Sequence, residues 1–299
     1  MNVLVFDIGG TFIKYALMSK EGEILEKDKT PTPLSSQKEL FDALFQVYRK
    51  YEKDVEGIAI SMPGNIDVEK GYIYTPGALT FNAGTYFVDD LKKRIPLENI
   101  YIENDGKSAA LAEMWLGNLK GCQNGAVMIL GTGIGGALIA NGKLLKGKHF
   151  FAGELSFLME DPDHVDYQHI FAMNGSTISL VGRYAAMKGL DQKEVTGETI
   201  FEAIKNGDET AISCLEHMCK HIAIQIFNTQ CFIDPEVVCI GGGVSQQPIL
   251  LETIQKYLKE IYDKMPFPVP SVQVTTCKFL ADANLIGALY NYLLHTKGN

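Results

Sequence analysis

The sequence predicts an α/β protein made of two related domains. Three observations carry this. The chain has 299 residues, and domains typically run to roughly 100–200 residues each. Short apolar runs alternate with stretches of helical spacing along most of its length. A strand, a Gly/Thr-rich turn and a second strand occur twice, near residues 3–18 and 127–140. The recurrence reads as a degenerate internal duplication of one α/β unit.

The elements follow in order. Val3 to Phe6 is an apolar run that ends in Asp7-Ile8-Gly9-Gly10-Thr11. Tyr15–Met18 and Glu23–Leu25 form the next strands, with Glu21-Gly22 as their turn. Leu40, Phe41, Leu44, Val47, Tyr48 and Tyr51 fall on one face of a helix over 37–51. Val55–Met62 is a buried strand stopped by Pro63-Gly64, and Ile100–Ile102 is another, ending in Glu103-Asn104-Asp105-Gly106 before a helix over Ala109–Trp115. The pattern restarts at Ala126. Val127–Leu130 runs into Gly131-Thr132-Gly133-Ile134-Gly135-Gly136, and Ala137–Ala140 turns at Asn141-Gly142. A long helix over 209–232, a strand Val237–Ile240 entering Gly241-Gly242-Gly243, a helix over 248–262, a strand Val272–Thr276 and an apolar helix over 284–294 complete the chain. The stretch 156–176 is the most loop-like. The domains are drawn at 1–107, completed by the helix 284–294, and at 108–283.

Composition narrows the function. Hydrophobic residues make up 46% and charged residues 21%, enough apolar material for two cores. The net charge of −9 argues against nucleic acid or anionic membrane as a partner, since both need clustered Lys and Arg. The six cysteines form no C-x-x-C pair, so neither a zinc ribbon nor a dithiol redox motif is indicated. Cysteines set among apolar residues, no secretory signal and no run of transmembrane length together predict a cytoplasmic protein.

Several motifs could carry chemistry. In Asp7-Ile8-Gly9-Gly10-Thr11-x-x-Lys14 the glycines would let backbone N–H groups approach a phosphate, Thr11 adds a hydroxyl, and Asp7 could hold Mg²⁺ through water. A plain glycine hairpin with a turn-forming Asp accounts for the same residues. Gly131–Gly136 formally matches G-x-G-x-x-G, but a strand rather than a helix follows, so a second phosphate loop fits better than a dinucleotide fold. Gly142–Lys148 imitates a P-loop but continues into His149 where Ser or Thr is required, and is rejected. In Glu103-Asn104-Asp105, Asp105 stands at the carboxyl end of a parallel strand, where it could take a proton from a substrate hydroxyl. It would equally serve as the N-cap of the next helix. Glu154 reads alone as surface charge, and Gly241–Gly243 suits either close approach to a flat ligand or the turn into a helix. His217 and His221 stand four apart on a helix without the Glu of a metalloprotease motif.

Taken in order, Asp7-Ile8-Gly9-Gly10-Thr11, Pro63-Gly64, Glu103-Asn104-Asp105, Leu130–Gly136, Ala152-Gly153-Glu154, Ile240–Gly243 and Ala281–Gly287 resemble the ROK family of repressors, open reading frames and kinases. The resemblance implies a duplicated actin-like, ribonuclease-H-like ATPase fold with a cleft between the domains. It implies ATP and Mg²⁺ as cofactors, a small sugar as substrate and a homodimer. Carried over, Asp105 resembles the catalytic base, and Asn104, Glu154 and Gly64 sugar-binding residues. Asp7, Gly9, Gly10, Thr11 and Lys14, with Thr132 and Gly133, resemble phosphate binders, and Gly241, Gly242 and Gly243 the adenosine loop. Two departures stand out. The family pattern G-E-x-G-H places a His, which binds sugar and zinc, where this chain has Phe157. No cysteine lies between Cys122 and Cys214, so the C-x-C-G-x-x-G-C cluster that follows in zinc-bearing members is missing and no zinc site of that kind is expected. With the first motif at residue 7, no helix-turn-helix is expected before it. The implied activity is transfer of the ATP γ-phosphoryl to the 6-hydroxyl of a glucose-type sugar. The zinc-less pattern with Phe157 resembles the β-glucoside kinases, which act on cellobiose. An N-acetylmannosamine or other N-acylhexosamine kinase, a glucokinase, and a non-catalytic sugar-sensing ATPase are the alternatives.

Overall fold

A computed structural model describes residues 1–296. The chain divides into two compact units. The first comprises Met1–Gly117, Lys146–Ala152 and the C-terminal stretch from Ala281; the second comprises Asn118–Leu145 and Gly153–Leu280. The 107/108 boundary drawn from the sequence falls within a helix, Asp105–Leu116, which lies wholly in the first unit.

In the first unit, β1 (Asn2–Ile8), β2 (Phe12–Met18) and β3 (Ile24–Pro31) form an antiparallel meander. Helix α1 (Gln37–Tyr51) follows; Ser36 caps it by accepting from Glu39 N, and the six apolar residues expected on its inner face are buried. Then come β4 (Val55–Met62), a small antiparallel sheet of β5 (Asn65–Asp67), β6 (Tyr72–Thr75) and β7 (Thr85–Tyr86), and the short helix α2 (Phe87–Lys92). Strand β8 (Ile100–Asn104) leads directly into α3 (Asp105–Leu116). The main sheet has the order β3-β2-β1-β4-β8, with β4 and β8 parallel to β1. Val3 to Ile8 of β1 are buried on both faces, as a continuous apolar run in a central strand should be.

The second unit repeats this plan. Strands β9 (Gly125–Leu130), β10 (Ile134–Ala140) and β11 (Lys143–Leu144) are antiparallel. After the helices α4 (Ala172–Gly175), α5 (Thr177–Lys188), α6 (Gly197–Lys205) and α7 (Glu209–Ile233) comes β12 (Val237–Gly241), parallel to β9. Helix α8 (Pro248–Asp263) and strand β13 (Gln273–Thr276) finish the unit, with the sheet order β11-β10-β9-β12-β13. The two sheets share one topology strand for strand, so the repeat seen at residues 3–18 and 127–140 is a duplication of the whole five-stranded unit.

Helix α9 (Ala283–Thr296) belongs to the first unit. It packs on α3 so closely that a Cβ at Gly287 would overlap the carbonyl oxygen of Ser108. Trp115 and Tyr290 stack alongside, their centroids 5.2 Å apart. Of the six cysteines, four are buried, Cys122 is half-buried and Cys231 exposed, and none is in a disulfide. Among the described residues no helix is long and apolar enough to cross a membrane.

Candidate active site

In the first unit the candidate residues begin where β1 turns into β2. The Asp7 side chain is buried and held on both oxygens: Lys14 Nζ, its cross-strand neighbour, donates to Oδ2 at 3.3 Å, and Asn284 Nδ2 of α9 donates to Oδ1 at 3.0 Å. The turn itself is closed by Gly9 N donating to Phe12 O. Thr32 pins it from β3's far end, its hydroxyl donating to Gly9 O at 2.7 Å and its N–H to Thr11 O at 3.0 Å. Gly10 and Thr11 stay exposed at the tip. Neither Gly9 nor Gly10 has a positive φ, so this turn does not draw on glycine's left-handed freedom. What it does need is little bulk, since a Cβ would lie 3.3 Å from Phe12 O at Gly9 and 3.4 Å from Ala78 Cβ at Gly10.

The second group sits at the end of β8. The N-cap of α3 is Asn104, whose Oδ1 accepts from Lys107 N at 3.1 Å, while its Nδ2 donates to Gly64 O at 2.9 Å. Asp105 is therefore the first helical residue rather than the cap, half-buried, with Oδ1 accepting from Gly106 N. Gly64 has φ 125°, and a Cβ there would overlap Thr75 O; only glycine fits. Residues 146–152 lie against this face. Lys146 Nζ stands 3.1 Å from the buried Glu103 Oε2, Asn65 Nδ2 donates to His149 O, and Lys107 Nζ reaches Phe150 O at 3.3 Å. Lys146–Ala152 is thus a strap on the Glu103–Lys107 region, and it takes in only the last three residues of the segment that imitated a P-loop.

In the second unit the turn between β9 and β10 is closed by Gly131 N donating to Gly133 O. Ser156 clamps its far side, accepting from Ile134 N at 2.8 Å and donating to Ile134 O at 3.0 Å. Thr177, the first residue of α5, donates through its N–H to Gly131 O and through its hydroxyl to Leu130 O. Beside this turn lies a cleft of about 410 Å³ lined by Gly131, Thr132, Thr177, Gly197, Phe201 and Gly243, among others. The N-terminal ends of α5 and α6, capped by Ser176 and Thr196, both open towards it, and N–H groups at helix starts favour anions. Of Gly241–Gly243 only Gly243 lines the cleft. Gly242, at φ 94°, would overlap Leu130 O if it carried a Cβ, and a Cβ at Gly241 would come within 2.5 Å of Ile129 Cδ1. These two glycines serve the packing of β12 on β9.

Glu154 precedes a single 3₁₀ turn, Leu155–Phe157, that lies against β10, where a Cβ at Gly136 would overlap Gly153 O. Glu154 is half-buried and Phe157 is 47% exposed. The zinc-bearing pattern of the family does not fit these residues, because Phe157 offers no donor and no thiol follows before Cys214.

Thr32, Ser156, Thr177 and Asn284 were not picked out as site residues from the sequence. Each holds a loop from another part of the chain, and single Ser, Thr and Asn residues carry no spacing signal. Ser176-Thr177 before an apolar run was the one legible hint, as a helix start.

The pattern of the ROK family matches residues 3–295. The chain belongs to the ROK family. It is 31% identical to the β-glucoside kinase of Klebsiella pneumoniae over 98% of this chain and 96% of that protein. It is 29% identical to the β-glucoside kinase of Listeria innocua over 98% of both. The crystal structure of a ROK family protein from Streptococcus pneumoniae in complex with sucrose superposes with a TM-score of 0.91, at 30% identity and over the full length of both chains. This ROK protein accordingly has the duplicated actin-like ATPase fold and is an ATP-dependent carbohydrate kinase.

Proposed function

We propose that this ROK kinase transfers the γ-phosphoryl of ATP to the 6-hydroxyl of a glucose-type sugar, and that its substrate is a β-glucoside such as cellobiose. The observation that carries the β-glucoside reading is Phe157. Its ring is 47% exposed one turn after Glu154, which is unlike a side chain that merely fills a core hole. The two β-glucoside kinases at 31% and 29% identity support it. A β-glucoside has no free anomeric hydroxyl, so a polar group aimed there would be left unpaired at a cost of about 1–3 kcal/mol if buried. A phenyl ring instead offers an apolar face to a second sugar ring or an aryl group.

In this reading Asp105 accepts the proton of the attacking hydroxyl as the bond to phosphorus forms. Its place in the first turn leaves capping to Asn104. Asn104, Gly64 and Glu154 bind and orient the sugar. Gly9–Thr11 with Lys14, and Thr132–Gly133, donate to the phosphates, and the cleft beside Gly243 takes the adenosine. Asp7, the buried carboxylate at the end of β1, is the residue that would hold Mg²⁺ through water, and the ion would supply neutralisation of the phosphate charge when bound with ATP. Six cysteines outside any disulfide and use of ATP fit a cytoplasmic enzyme.

The test is kcat/KM for cellobiose, glucose and N-acetylmannosamine in the parent and in Phe157→His. We expect cellobiose to lead in the parent and to lose ground to the free sugars in the variant. If a free sugar leads and the substitution leaves the order unchanged, the β-glucoside assignment falls.

A further inference from the structure

The stretch after Phe157, loop-like in sequence, is closed at its base as a hairpin. Met159 and Ile170 form an antiparallel bridge, Phe171 N donates to Leu158 O at 2.8 Å, and Glu160 N to His169 O at 3.4 Å. The base is anchored from α7 and α4: the Glu160 carboxylate accepts from His221, Gln225 and Asn174 at 2.8–3.1 Å. At the tip, Asp161-Pro162-Asp163-His164-Val165-Asp166-Tyr167-Gln168-His169 contains D-x-x-H twice, five residues apart.

Each repeat closes on itself. His164 Nδ1 lies 2.7 Å from Asp161 Oδ2, and His169 Nδ1 lies 2.8 Å from Asp166 Oδ1. In the second repeat an imidazole that donates Nδ1–H to Asp166 keeps its lone pair on Nε2, as metal-binding histidines are usually oriented; in the first, Asp161 Oδ2 and His164 Nδ1 stand side by side, where a cation would replace the proton they share. The two rings stack, their centroids 4.7 Å apart and their planes within 24°. One ligand atom each from Asp161, His164 and His169 can be chosen so that all lie within 4.8 Å of one another.

We propose that Asp161, His164 and His169 bind a divalent transition-metal ion of the zinc type, with Asp166 holding the His169 ring in position. Nitrogen and oxygen donors bind Zn²⁺ tetrahedrally at about 2.0–2.2 Å, so two donors on one ion stand about 3.4 Å apart. With ligand atoms already within 4.8 Å of one another, the exposed tip has to close by no more than about 1.4 Å. Two imidazoles and one carboxylate favour Zn²⁺, Co²⁺, Ni²⁺ or Cu²⁺ over Mg²⁺ and Ca²⁺, which prefer all-oxygen sites. Water completes the coordination at this exposed tip. The donor set shares no residue with the thiolate pattern absent from this chain. Bound there, the ion staples the tip of a hairpin whose base is already fixed, and so stiffens the segment that continues from Phe157.

The experiment titrates Zn²⁺ calorimetrically into the full-length, tag-free protein after chelator treatment, with Co²⁺ absorption as a second reading of the ligand field. The parent should bind about one equivalent. His164→Ala/His169→Ala should abolish that binding, and Asp166→Asn should weaken it about 10- to 100-fold. His217→Ala, which alters the other close histidine pair, should leave it intact. These tip residues are exposed or half-buried, and circular dichroism checks that each variant is folded. The proposal is overturned if the parent binds no Zn²⁺ at micromolar concentration, or if the double variant binds as the parent does.

Discussion

Asn104 accepts from Lys107 N and donates to Gly64 O, and this frees the neighbouring Asp105 from capping α3. A cap is tolerant of exchange among Ser, Thr, Asp and Asn, whereas a proton acceptor is not. Asp105→Asn should therefore lower kcat by roughly 10²–10⁴-fold while the dissociation constant of the sugar, measured by fluorescence or calorimetry, changes little. Near-normal turnover in that variant would end the assignment of Asp105 as the base. The same residue-scale reasoning explains a gap between sequence and structure. Glu103-Asn104-Asp105 was legible as a motif, but which of two adjacent residues capped the helix depended on a backbone torsion at the end of β8, which no sequence pattern states.

At the scale of elements, α7 carries the clearest pH dependence. His217 is held between Asn174 and Arg183. Burial, then the neighbouring His221 and Arg183, push its pKa down to about 4. The unfolded chain, with an ordinary His near 6.5, binds more protons in between, so stability is intact above about pH 6.5 and is lost as the pH falls towards 4. Urea midpoints at pH 7 and pH 5 should show the loss in the parent and a smaller one in His217→Gln; an equal loss in both would place the sensitivity elsewhere. Elements of 7 to 25 residues with a strong period, such as β1, α1 and α7, were readable in advance. The sheet of β5, β6 and β7 was not, because strands of 3, 4 and 2 residues are too short for alternation to show. Nor were the pins at Thr32 and Ser156, which act over 23 and 22 residues of sequence.

Across the whole molecule, the duplicated sheet order was foreshadowed by two glycine loops, and the first unit, which the sequence reading completed with the helix 284–294, is discontinuous in sequence and also takes in Lys146–Ala152, which no pattern marked. Helix α9 supplies it with Leu285, Ile286, Leu289, Tyr292 and Leu293, all buried, and with Asn291 donating to Ile102 O. A chain ending at Asp282 should lose amide protection in β1, β4 and β8 while β9 and β12 keep theirs, as read by hydrogen exchange; unchanged protection in β1 and β4 would show that α9 is dispensable. During synthesis this arrangement imposes an order of events. Residues 118–280 stand between α3 and α9, and at roughly 5–20 residues per second the ribosome takes roughly 10–30 s to traverse them. Throughout that interval the groove on α3 around Ser108, which in the folded chain admits a glycine and nothing larger, is uncovered, and the first unit waits for its last helix longer than the second waits for any of its own elements.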